Sequence, residues 1–241
     1  MSIQIVGFDA DDTLWKSQDY FDAAQAEFEV IIGRYIDLSN AGVQDHLLRV
    51  ERENIPVFGY GAKGMMLSMM ESAIEMTEER ITSGDIRRIL DLGKAVLQHP
   101  VELLDGIEAA VDEISRDFPI VLITKGDLFH QEAKVKATPL SKRFKRIEIV
   151  SEKDPQTYRR LFNEFGIAPE QFLMIGNSLK SDIAPVLDLG GWGVHVPYYT
   201  TWAHETHDGI APGLANHLRT AASAAELPAH VHELARVAVG M

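Results

Sequence analysis

The 241-residue sequence contains no cysteine. This absence excludes disulfide bonds, zinc sites with cysteine ligands and a catalytic thiol, and it fits a cytoplasmic location. Long apolar runs are also missing, since none reaches the roughly 20 residues that a membrane-spanning helix needs. The first strand-like segment is not preceded by a basic and then apolar leader, so we expect neither a secretory signal nor a membrane partner.

Positive charge is scarce, with 23 lysines and arginines, 36 acidic residues and a formal net charge of −13. Nucleic-acid-binding proteins usually carry a basic face, so we expect no nucleic-acid partner. One dense basic run, residues 142–146, precedes the apolar residues 147–150, and we interpret it as a solvated loop that leads into a strand. A protein with this excess of acidic residues needs local positive charge to bind an anion. One or two lysines and a metal ion could supply it.

Between residues 16 and 98, apolar residues recur at helical spacing, which predicts helices packed in a bundle. The stripes cover residues 21–35, 65–74 and 86–97, and a weaker one covers residues 43–54. We expect Pro56 and the glycines at 59, 61 and 64 to break this bundle in its middle.

From Pro100 onward, short apolar segments alternate with helical ones, which predicts a parallel sheet with helices on both faces. The predicted strands are 120–124, 147–150, 172–176 and 192–196, and the predicted helices are 107–116, 127–137, 156–165 and 180–189. The Ala-rich tail from Gly213 is expected to be helical at its end. The sequence therefore predicts an α/β fold, with a Rossmann-like parallel sheet core of residues 1–15 and 99–241 and an inserted α-helical cap domain of residues 16–98.

Two carboxylates, Asp9 and Asp11, follow the apolar residues 3–8. At the end of a strand they can converge on one metal ion and one phosphoryl group, with Asp9 as the nucleophile and Asp11 as the acid and base. Carboxylate nucleophiles that form an aspartyl-phosphate are an established route for phosphoryl transfer. The alternative interpretation is a strand end followed by a solvated acidic turn, because Asp is common in turns.

Polar residues also follow the other predicted strands. They are Thr124 and Lys125, then Lys153, then Asn177 and Asp182, each group at a different strand end. Because ligands gather at the carboxyl ends of parallel strands, these residues together offer a hydroxyl donor, lysines and a second acidic site for a metal ion.

On these residues the sequence resembles the haloacid dehalogenase-like hydrolase superfamily. The first motif of that family, Asp-x-Asp-x-(Thr/Val), is matched by residues 9–13, and its second, a Thr or Ser after a hydrophobic strand, by Thr124. Its third, a lysine ahead of a helix, is best matched by Lys153. Its fourth, Gly-Asp-x-x-x-x-Asp, is met by residues 176–182 with Asn177 in place of the first Asp. The insertion between the first two motifs looks like the helical cap of many members that act on small molecules.

The resemblance implies a division of roles among the matched residues. Asp9 attacks phosphorus and forms the aspartyl-phosphate, while Asp11 protonates the leaving alcohol and later activates water. Thr124 and Lys153 hold the phosphoryl oxygens. Because Asp11 must be protonated for the first step, we expect its neighbours to raise its pKa.

The resemblance also implies a Mg²⁺ cofactor, bound by the Asp9 carboxylate, the Asp11 backbone carbonyl and Asp182. Mg²⁺ prefers oxygen ligands and offsets the repulsion between an anionic nucleophile and an anionic substrate. Asn177 keeps an oxygen ligand at this site but removes a charge, which could weaken the metal site.

Lys125 is a further candidate for binding the substrate phosphate. Lys153 is followed by Asp154 and Pro155 where many members have Lys-Pro, so Lys125 is an alternative phosphate contact. A solvated loop or a salt bridge to Asp127 is the other interpretation of Lys125.

Residues 59–64 spell G-x-G-x-x-G, the pattern of a dinucleotide-binding loop. That site needs a preceding strand, whereas here the neighbours are Pro56 and helical stripes, so we do not expect it. A cap loop that faces the active site, with Tyr60 and Lys63 contacting the substrate, is one interpretation, and a plain turn between helices is the other.

Two further patterns are interpreted as structural. Residues 204–207 read His-Glu-Thr-His, one residue short of the metalloprotease motif, and predict a polar surface segment. Methionines cluster at positions 65, 66, 69 and 70, which favours a core, although methionines also suit adaptable binding surfaces.

The sequence therefore predicts a magnesium-dependent phosphatase that hydrolyses a small phosphorylated metabolite. A dehalogenase of the same fold attacks carbon and lacks the second carboxylate of the first motif, whereas Asp11 is present here. A phosphoryl mutase differs only in whether water or a second hydroxyl accepts the phosphoryl group, and it stays open. A non-catalytic binding module is the alternative from a different class, and the intact Asp9, Asp11 and Lys153 argue against it.

Overall fold

The structure is a computed structural model that describes residues 2–200, 202–206 and 209–240. The chain divides into two compact units. The sheet unit consists of Met1–Lys16, Val101–Lys125 and Gln131–Met241, and the helical unit of Ser17–Pro100 and Gly126–His130. Residues 126–130, which fall in the predicted core of residues 99–241, pack within the helical unit.

Parallel strands form the centre of the sheet unit, in the order β3-β2-β1-β4-β5-β6. They are β1 Ile5–Phe8, β2 Ile120–Lys125, β3 Arg146–Val150, β4 Phe172–Gly176, β5 Trp192–His195 and β6 Leu218–Thr220. The three strands β1, β2 and β4 consist almost entirely of buried residues. This is expected, because a parallel sheet in an α/β protein is covered on both faces.

The helical unit contains the four helices that the apolar stripes predict. They are α1 Gln18–Ile32, α2 Val43–Phe58, α3 Ala62–Met76 and α4 Ser83–Gln98. Their buried faces form one core, which includes Phe28, Met69 and Ile89. Met65 is also buried in this core, which supports the structural interpretation of the methionine cluster.

The break between α2 and α3 comes at glycines. Gly59 and Gly61 have φ angles of 74° and 105°, a region that glycine adopts without steric cost. Pro56 lies in the last turn of α2, where its missing N–H removes one helical hydrogen bond, and Gly64 lies inside α3. The expectation that Pro56 and Gly64 interrupt the bundle was therefore wrong.

The remaining helices cover the sheet. They are α5 Ile107–Asp117, α6 Leu128–Ala137, α7 Pro155–Phe165, α8 Ala184–Leu187 and α9 Leu227–Gly240. Alternate residues of β2 point to opposite faces, so Leu122 packs in the core with α5 and α9, and Ile123 packs in the core with α7. None of the helices in the described ranges is long and apolar enough to cross a membrane.

The segment predicted as one helix, residues 180–189, is instead a π-helical turn, Leu179–Ile183, followed by the short α8. Pro185 has no N–H to donate to the carbonyl of Ser181, four residues earlier. The hydroxyl of Tyr158 donates to that carbonyl at 3.2 Å.

The parallel sheet with its helices confirms the predicted α/β fold class. The tail contains β6, a strand that the sequence analysis did not predict, and ends in α9, as the Ala-rich composition suggested. The division of the chain into a catalytic core and a cap stays a prediction.

The register of the sheet brings three strand ends to one edge. Phe8, the last residue of β1, pairs with Leu122 of β2 and with Ile175 of β4. Asp9 therefore leaves the sheet at the edge where β2 ends near Thr124 and β4 ends at Gly176.

Candidate active site

Two buried carboxylates and one buried lysine meet at this edge of the sheet. Asp9 follows β1, Asp182 lies in the π-helical turn after β4, and Lys153 precedes α7. The Lys153 ammonium donates to Oδ1 of Asp9 and to Oδ1 of Asp182, the latter at 2.6 Å. The side chains of Lys153, Asp9 and Asp182 are 3%, 8% and 1% exposed, so the ion pairs are shielded from water.

One ammonium does not neutralise two buried carboxylates. Burial and repulsion from Asp182 raise the pKa of Asp9 to about 7, although Lys153 acts in the opposite direction. Burial alone would lower the pKa of Lys153, but the charges of Asp182 and Asp9 raise it above its ordinary value. The cluster is therefore short of positive charge, and a cation beside it would favour the ionised form of Asp9.

Gly176 and Ser178 fix the position of the Asp182 carboxylate. A Cβ atom at residue 176 would lie 2.3 Å from Oδ2 of Asp182, so only glycine leaves room for the carboxylate. The N–H of Ser178 donates to the same oxygen at 3.0 Å. Asp182 is thereby held against the end of β4, with its Oδ1 directed at Lys153.

Thr13 links Asp9 to Asn177. Its hydroxyl lies 3.0 Å from Oδ2 of Asp9 and 3.2 Å from Oδ1 of Asn177, and it accepts the backbone N–H of Asn177 at 3.0 Å. Because a hydroxyl has one hydrogen, the two oxygen atoms share it as acceptors. Thr13 therefore connects the amide oxygen of Asn177 to the Asp9 carboxylate through one shared hydroxyl.

The Asp11 carboxylate has a different set of partners. Lys134 Nζ lies 2.5 Å from its Oδ1, Gln131 Nε2 lies 2.8 Å from its Oδ2, and Trp15 Nε1 lies 2.6 Å from its Oδ1. Burial by itself would raise the pKa of Asp11, but the charge of Lys134 and these hydrogen bonds hold it below its usual range. The expectation of a raised pKa was therefore wrong, because Lys134, 123 positions along the chain, stabilises the ionised form.

A tight turn brings Trp15 to Asp11. The N–H of Leu14 donates to the carbonyl of Ala10 at 2.8 Å, and Asp12 adopts a φ of 61°. Trp15 is fully buried, and its indole anchors the end of the turn. The turn thus orients Asp11 relative to the sheet edge.

Thr124 and Lys125 end β2, next to Asp9. Thr124 is buried, and the Lys125 side chain is only 12% exposed, so Lys125 is not a solvated loop residue. The ammonium of Lys125 forms salt bridges to Glu205 at 2.6 Å and Glu152 at 3.3 Å. Asp127, the partner considered from the sequence, instead pairs with Lys63 at 3.0 Å.

Comparison with known proteins identifies the family. Residues 3–190 match the family described as haloacid dehalogenase-like hydrolases. The chain belongs to this family.

Individual proteins of known name or structure match different shares of the chain. A haloacid dehalogenase-like family hydrolase from Xanthomonas campestris is 51% identical, with a TM-score of 0.88 over 99% of this chain and 94% of that chain. N-acylneuraminate-9-phosphatase from Mus musculus is 28% identical over 99 residues, which make up 39% of this chain and 40% of the mouse enzyme. A 2-haloacid dehalogenase from Pseudomonas syringae pv. Tomato DC3000 is 15% identical with a TM-score of 0.63 over 96% of this chain and 98% of that chain, which shows a shared fold alone.

Three residues that contact the matched motifs, Gln131, Lys134 and Glu205, were not among the predicted site residues. Gln131 and Lys134 contact Asp11, and their spacing of three within the predicted helix is the signal that places them on one face. Glu205 accepts hydrogen bonds from the hydroxyls of Ser178 and Ser181, each at 2.5 Å, as well as from Lys125.

The environment of Glu205 corrects the interpretation of residues 204–207. Its side chain is 13% exposed, and Lys125, Ser178 and Ser181 together hold its pKa below the usual range although burial opposes this. A polar surface segment was therefore the wrong description of Glu205, whose hydrogen-bond partners lie up to 80 positions away. His207 lies outside the described residues.

The two candidate residues for contacting the substrate from the insert lie in the helical unit. Tyr60 is in the loop before α3, and Lys63 is in the first turn of α3. Lys63 pairs with Asp127 and lies 5.3 Å from the ring centre of Phe129. Contact of Tyr60 and Lys63 with a substrate stays a prediction.

The oxygen atoms near Asp9 suit magnesium. Asp9, Asp182 and the amide of Asn177 provide the oxygen ligands that Mg²⁺ prefers. Burial and repulsion from Asp182 raise the pKa of Asp9, so a cation beside it would favour the ionised carboxylate. Among the residues that the structure describes, no group of three Asp, Glu or His side chains that could hold a metal ion is found, and the Lys153 ammonium bridges the two carboxylates. A magnesium ion here would rely on two carboxylates together with amide, backbone and water oxygens. The donor set therefore fits magnesium in its chemistry, with Asp9, Asp182, Asn177 and the Asp11 backbone carbonyl as the candidate ligands.

Proposed function

We propose that this hydrolase is a magnesium-dependent phosphatase that acts on a small phosphorylated metabolite through an aspartyl-phosphate on Asp9. The observation that carries the proposal is the buried Asp9 carboxylate, ion-paired to Lys153, with a second carboxylate, Asp11, two residues further on. The similarity to N-acylneuraminate-9-phosphatase over 99 residues supports a phosphate monoester as the substrate class.

In the first step, a carboxylate oxygen of Asp9 bonds to phosphorus while the bond from phosphorus to the leaving oxygen breaks. The leaving oxygen takes a proton from Asp11. Asp11 is ionised in the free enzyme, and an anionic phosphate beside it increases its proton affinity because a like charge disfavours the carboxylate. Asp11 can therefore enter the complex with the proton that this step needs.

In the second step, a water oxygen attacks phosphorus and the bond to Asp9 breaks. Asp11, ionised by the first step, accepts the proton of the water and becomes the neutral acid. It then gives this proton to solvent and returns to its ionised form, which Lys134 and Gln131 stabilise. Phosphate leaves, and the carboxylate of Asp9 is restored.

Enzymes accelerate phosphoryl transfer mainly by positioning the reacting groups and by stabilising the negative charge of the transition state with positive charge. Lys153 supplies an ammonium next to Asp9, and the hydroxyl of Thr124 can donate to a phosphoryl oxygen. When bound, magnesium supplies the further positive charge that offsets repulsion between Asp9 and the phosphate.

Substitution of the two carboxylates tests the proposal. Asp9→Asn removes the nucleophile, so we expect phosphate release near background, whereas Asp11→Asn loses proton transfer and should retain activity that is lower by about 10²–10⁴-fold. Phosphate release from a panel of phosphorylated metabolites is the measurement, with mass spectrometry of quenched Asp11→Asn protein to detect a phosphorylated Asp9.

Removal of the metal tests the cofactor. Enzyme treated with a chelator should lose phosphate release and regain it on addition of Mg²⁺.

Full activity of Asp9→Asn would contradict the proposal, as would halide release from a 2-haloacid without phosphate release from any phosphate monoester.

A further inference from the structure

One face of α6 carries two buried polar side chains. Gln131 and Lys134 are three residues apart, which places them on the same side of the helix. They are only 3% and 9% exposed, and a lysine is rarely buried without a partner. Both side chains end at the carboxylate of Asp11.

The donors around Asp11 restrict the rotation of its carboxylate. Lys134 Nζ bridges the two oxygens, at 2.5 Å from Oδ1 and 2.8 Å from Oδ2. Trp15 Nε1 donates to Oδ1 at 2.6 Å, and Gln131 Nε2 donates to Oδ2 at 2.8 Å. Each oxygen therefore has two donors, and rotation of the carboxylate would break several bonds together.

The side-chain amide of Gln131 directs its nitrogen at Asp11, and its oxygen has no hydrogen-bond partner among the described residues. Nε2 donates to Asp11 and to the backbone carbonyl of Lys125 at 3.0 Å, whereas Oε1 is buried without a hydrogen-bond partner among the described residues. Turning the amide over would place Oε1 against two acceptors, so the observed orientation is the one that the contacts allow. A buried acceptor without a partner is unfavourable, which indicates that the donors of Gln131 serve a purpose other than stability.

We propose that Gln131 and Lys134 are positioning residues that hold the Asp11 carboxylate where it exchanges protons with the leaving oxygen and with water. This inference rests on the function proposed above for Asp11. Gln131 and Lys134 act through Asp11 and do not contact the substrate. Loss of either residue frees the carboxylate, which slows proton transfer and leaves the attack by Asp9 unchanged.

Leaving groups separate this role from a purely structural one. Para-nitrophenolate departs without a proton, whereas the alcohol of an alkyl phosphate needs one from a general acid. In the first turnover with magnesium, we expect Lys134→Met to release para-nitrophenol within about twofold of the wild-type rate, but to release alcohol from an alkyl phosphate about 10²-fold more slowly. Gln131→Met should show the same selectivity with a loss of about tenfold on the alkyl phosphate, since Lys134 still bridges both oxygens.

Two further variants provide controls. Lys136 is on the same helix, is 77% exposed and pairs with Glu132, so Lys136→Met should leave both rates unchanged. Lys134→Arg keeps the positive charge with a different geometry, and should give an intermediate, still selective loss on the alkyl phosphate. That variant decides the question if Lys134→Met does not fold.

Equal slowing of both substrates by the Lys134 and Gln131 variants, or no slowing of either, would overturn the inference. Asp11→Asn is measured in parallel. If Asp11→Asn shows the leaving-group selectivity and the Lys134 variants do not, the positioning role alone fails. If Asp11→Asn lacks the selectivity, the proposed role of Asp11 fails, and the inference fails with it.

Discussion

Residue 176 has room for a hydrogen atom as its side chain and for nothing larger. A Cβ there would lie 2.3 Å from Oδ2, 2.4 Å from Cγ and 2.5 Å from Cβ of Asp182. Gly176→Ala should therefore displace Asp182 from Lys153 and lower the free energy of unfolding by about 1–3 kcal/mol, as overpacking typically does. Urea unfolding measures the stability loss, and phosphate release should fall with it.

Gly213→Ala is the matched control for that substitution. No atom lies within 4 Å of the position that a Cβ at Gly213 would occupy. Its stability and activity should stay close to those of the wild type. Equal stability of the Gly176 and Gly213 variants would show that Asp182 is not held as tightly as its contacts indicate.

Two carboxylates only two residues apart have opposite pKa shifts. Burial and Asp182 raise the pKa of Asp9, whereas Lys134, Gln131 and Trp15 outweigh burial and lower that of Asp11. The free enzyme thus holds Asp11 ready to accept a proton and leaves Asp9 in need of a cation. A cation bound near Asp9 would lower the pKa of Asp9 and favour its ionised form, the nucleophile. An anion bound near Asp11 would raise the pKa of Asp11 and favour its protonated form, the acid that the first step requires.

At the scale of secondary structure, Gly93 sets how closely α4 approaches α3. A Cβ on Gly93 would lie 2.6 Å from Sδ and 2.7 Å from Cβ of Met66. The sulfur can move by rotation, but the Cβ of Met66 can move only with its helix. Gly93→Ala should therefore reduce the free energy of unfolding by about 1–3 kcal/mol in a chemical denaturation experiment.

Gly84 in the same helix provides the opposite expectation. It is exposed, and a Cβ there would meet only Thr82 Oγ1 at 3.6 Å, an ordinary contact. Gly84→Ala should stabilise the protein by about 0.4–1 kcal/mol, because alanine loses less backbone entropy on folding. A Gly93→Ala variant as stable as the wild type would contradict the close packing of Gly93 on Met66.

At the scale of the whole molecule, the segment Gly126–His130 follows β2 and includes the first three residues of α6, but it packs with the helical unit. Lys63 pairs with Asp127, at 46% and 21% side-chain exposure, and such exposed pairs contribute less than about 1 kcal/mol. We therefore expect Lys63→Met and Tyr60→Ala to change the relative activity among phosphorylated metabolites with little change in stability. Activity on para-nitrophenyl phosphate, which has few groups to recognise, should change much less.

Lys94→Met is the control for the loss of an exposed lysine from the helical unit. Lys94 is 47% exposed and pairs with Asp91 on the same helix at 3.4 Å. Its substitution should leave the order of preferred substrates unchanged. Equal losses on every substrate in the Lys63 and Tyr60 variants would indicate a structural loop instead of a substrate contact.

Much of the fold could be predicted because its signals are local. The buried strands β1, β2 and β4 are continuous apolar runs, and the helices of the helical unit have stripes at helical spacing. The errors came where a contact with another element decides the local structure. The hydroxyl of Tyr158 donates to the carbonyl of Ser181, to which Pro185 cannot donate. The short strand β6 is stabilised by its pairing with β5, which the local sequence does not indicate.

The sequence by itself determined the order of most strands and helices, β6 and the turn before α8 excepted. It also placed Asp9, Thr124, Lys153 and Asp182 at one edge, because parallel strands carry their carboxyl ends to the same side of a sheet. Only the tertiary structure decided which charges face one another. Lys134 reaches Asp11 across 123 positions and Lys125 reaches Glu205 across 80, distances over which residue spacing carries no information about contact. The pKa of Asp11 depends on those neighbours, since the energy of a buried charge is set by the groups within a few ångströms of it.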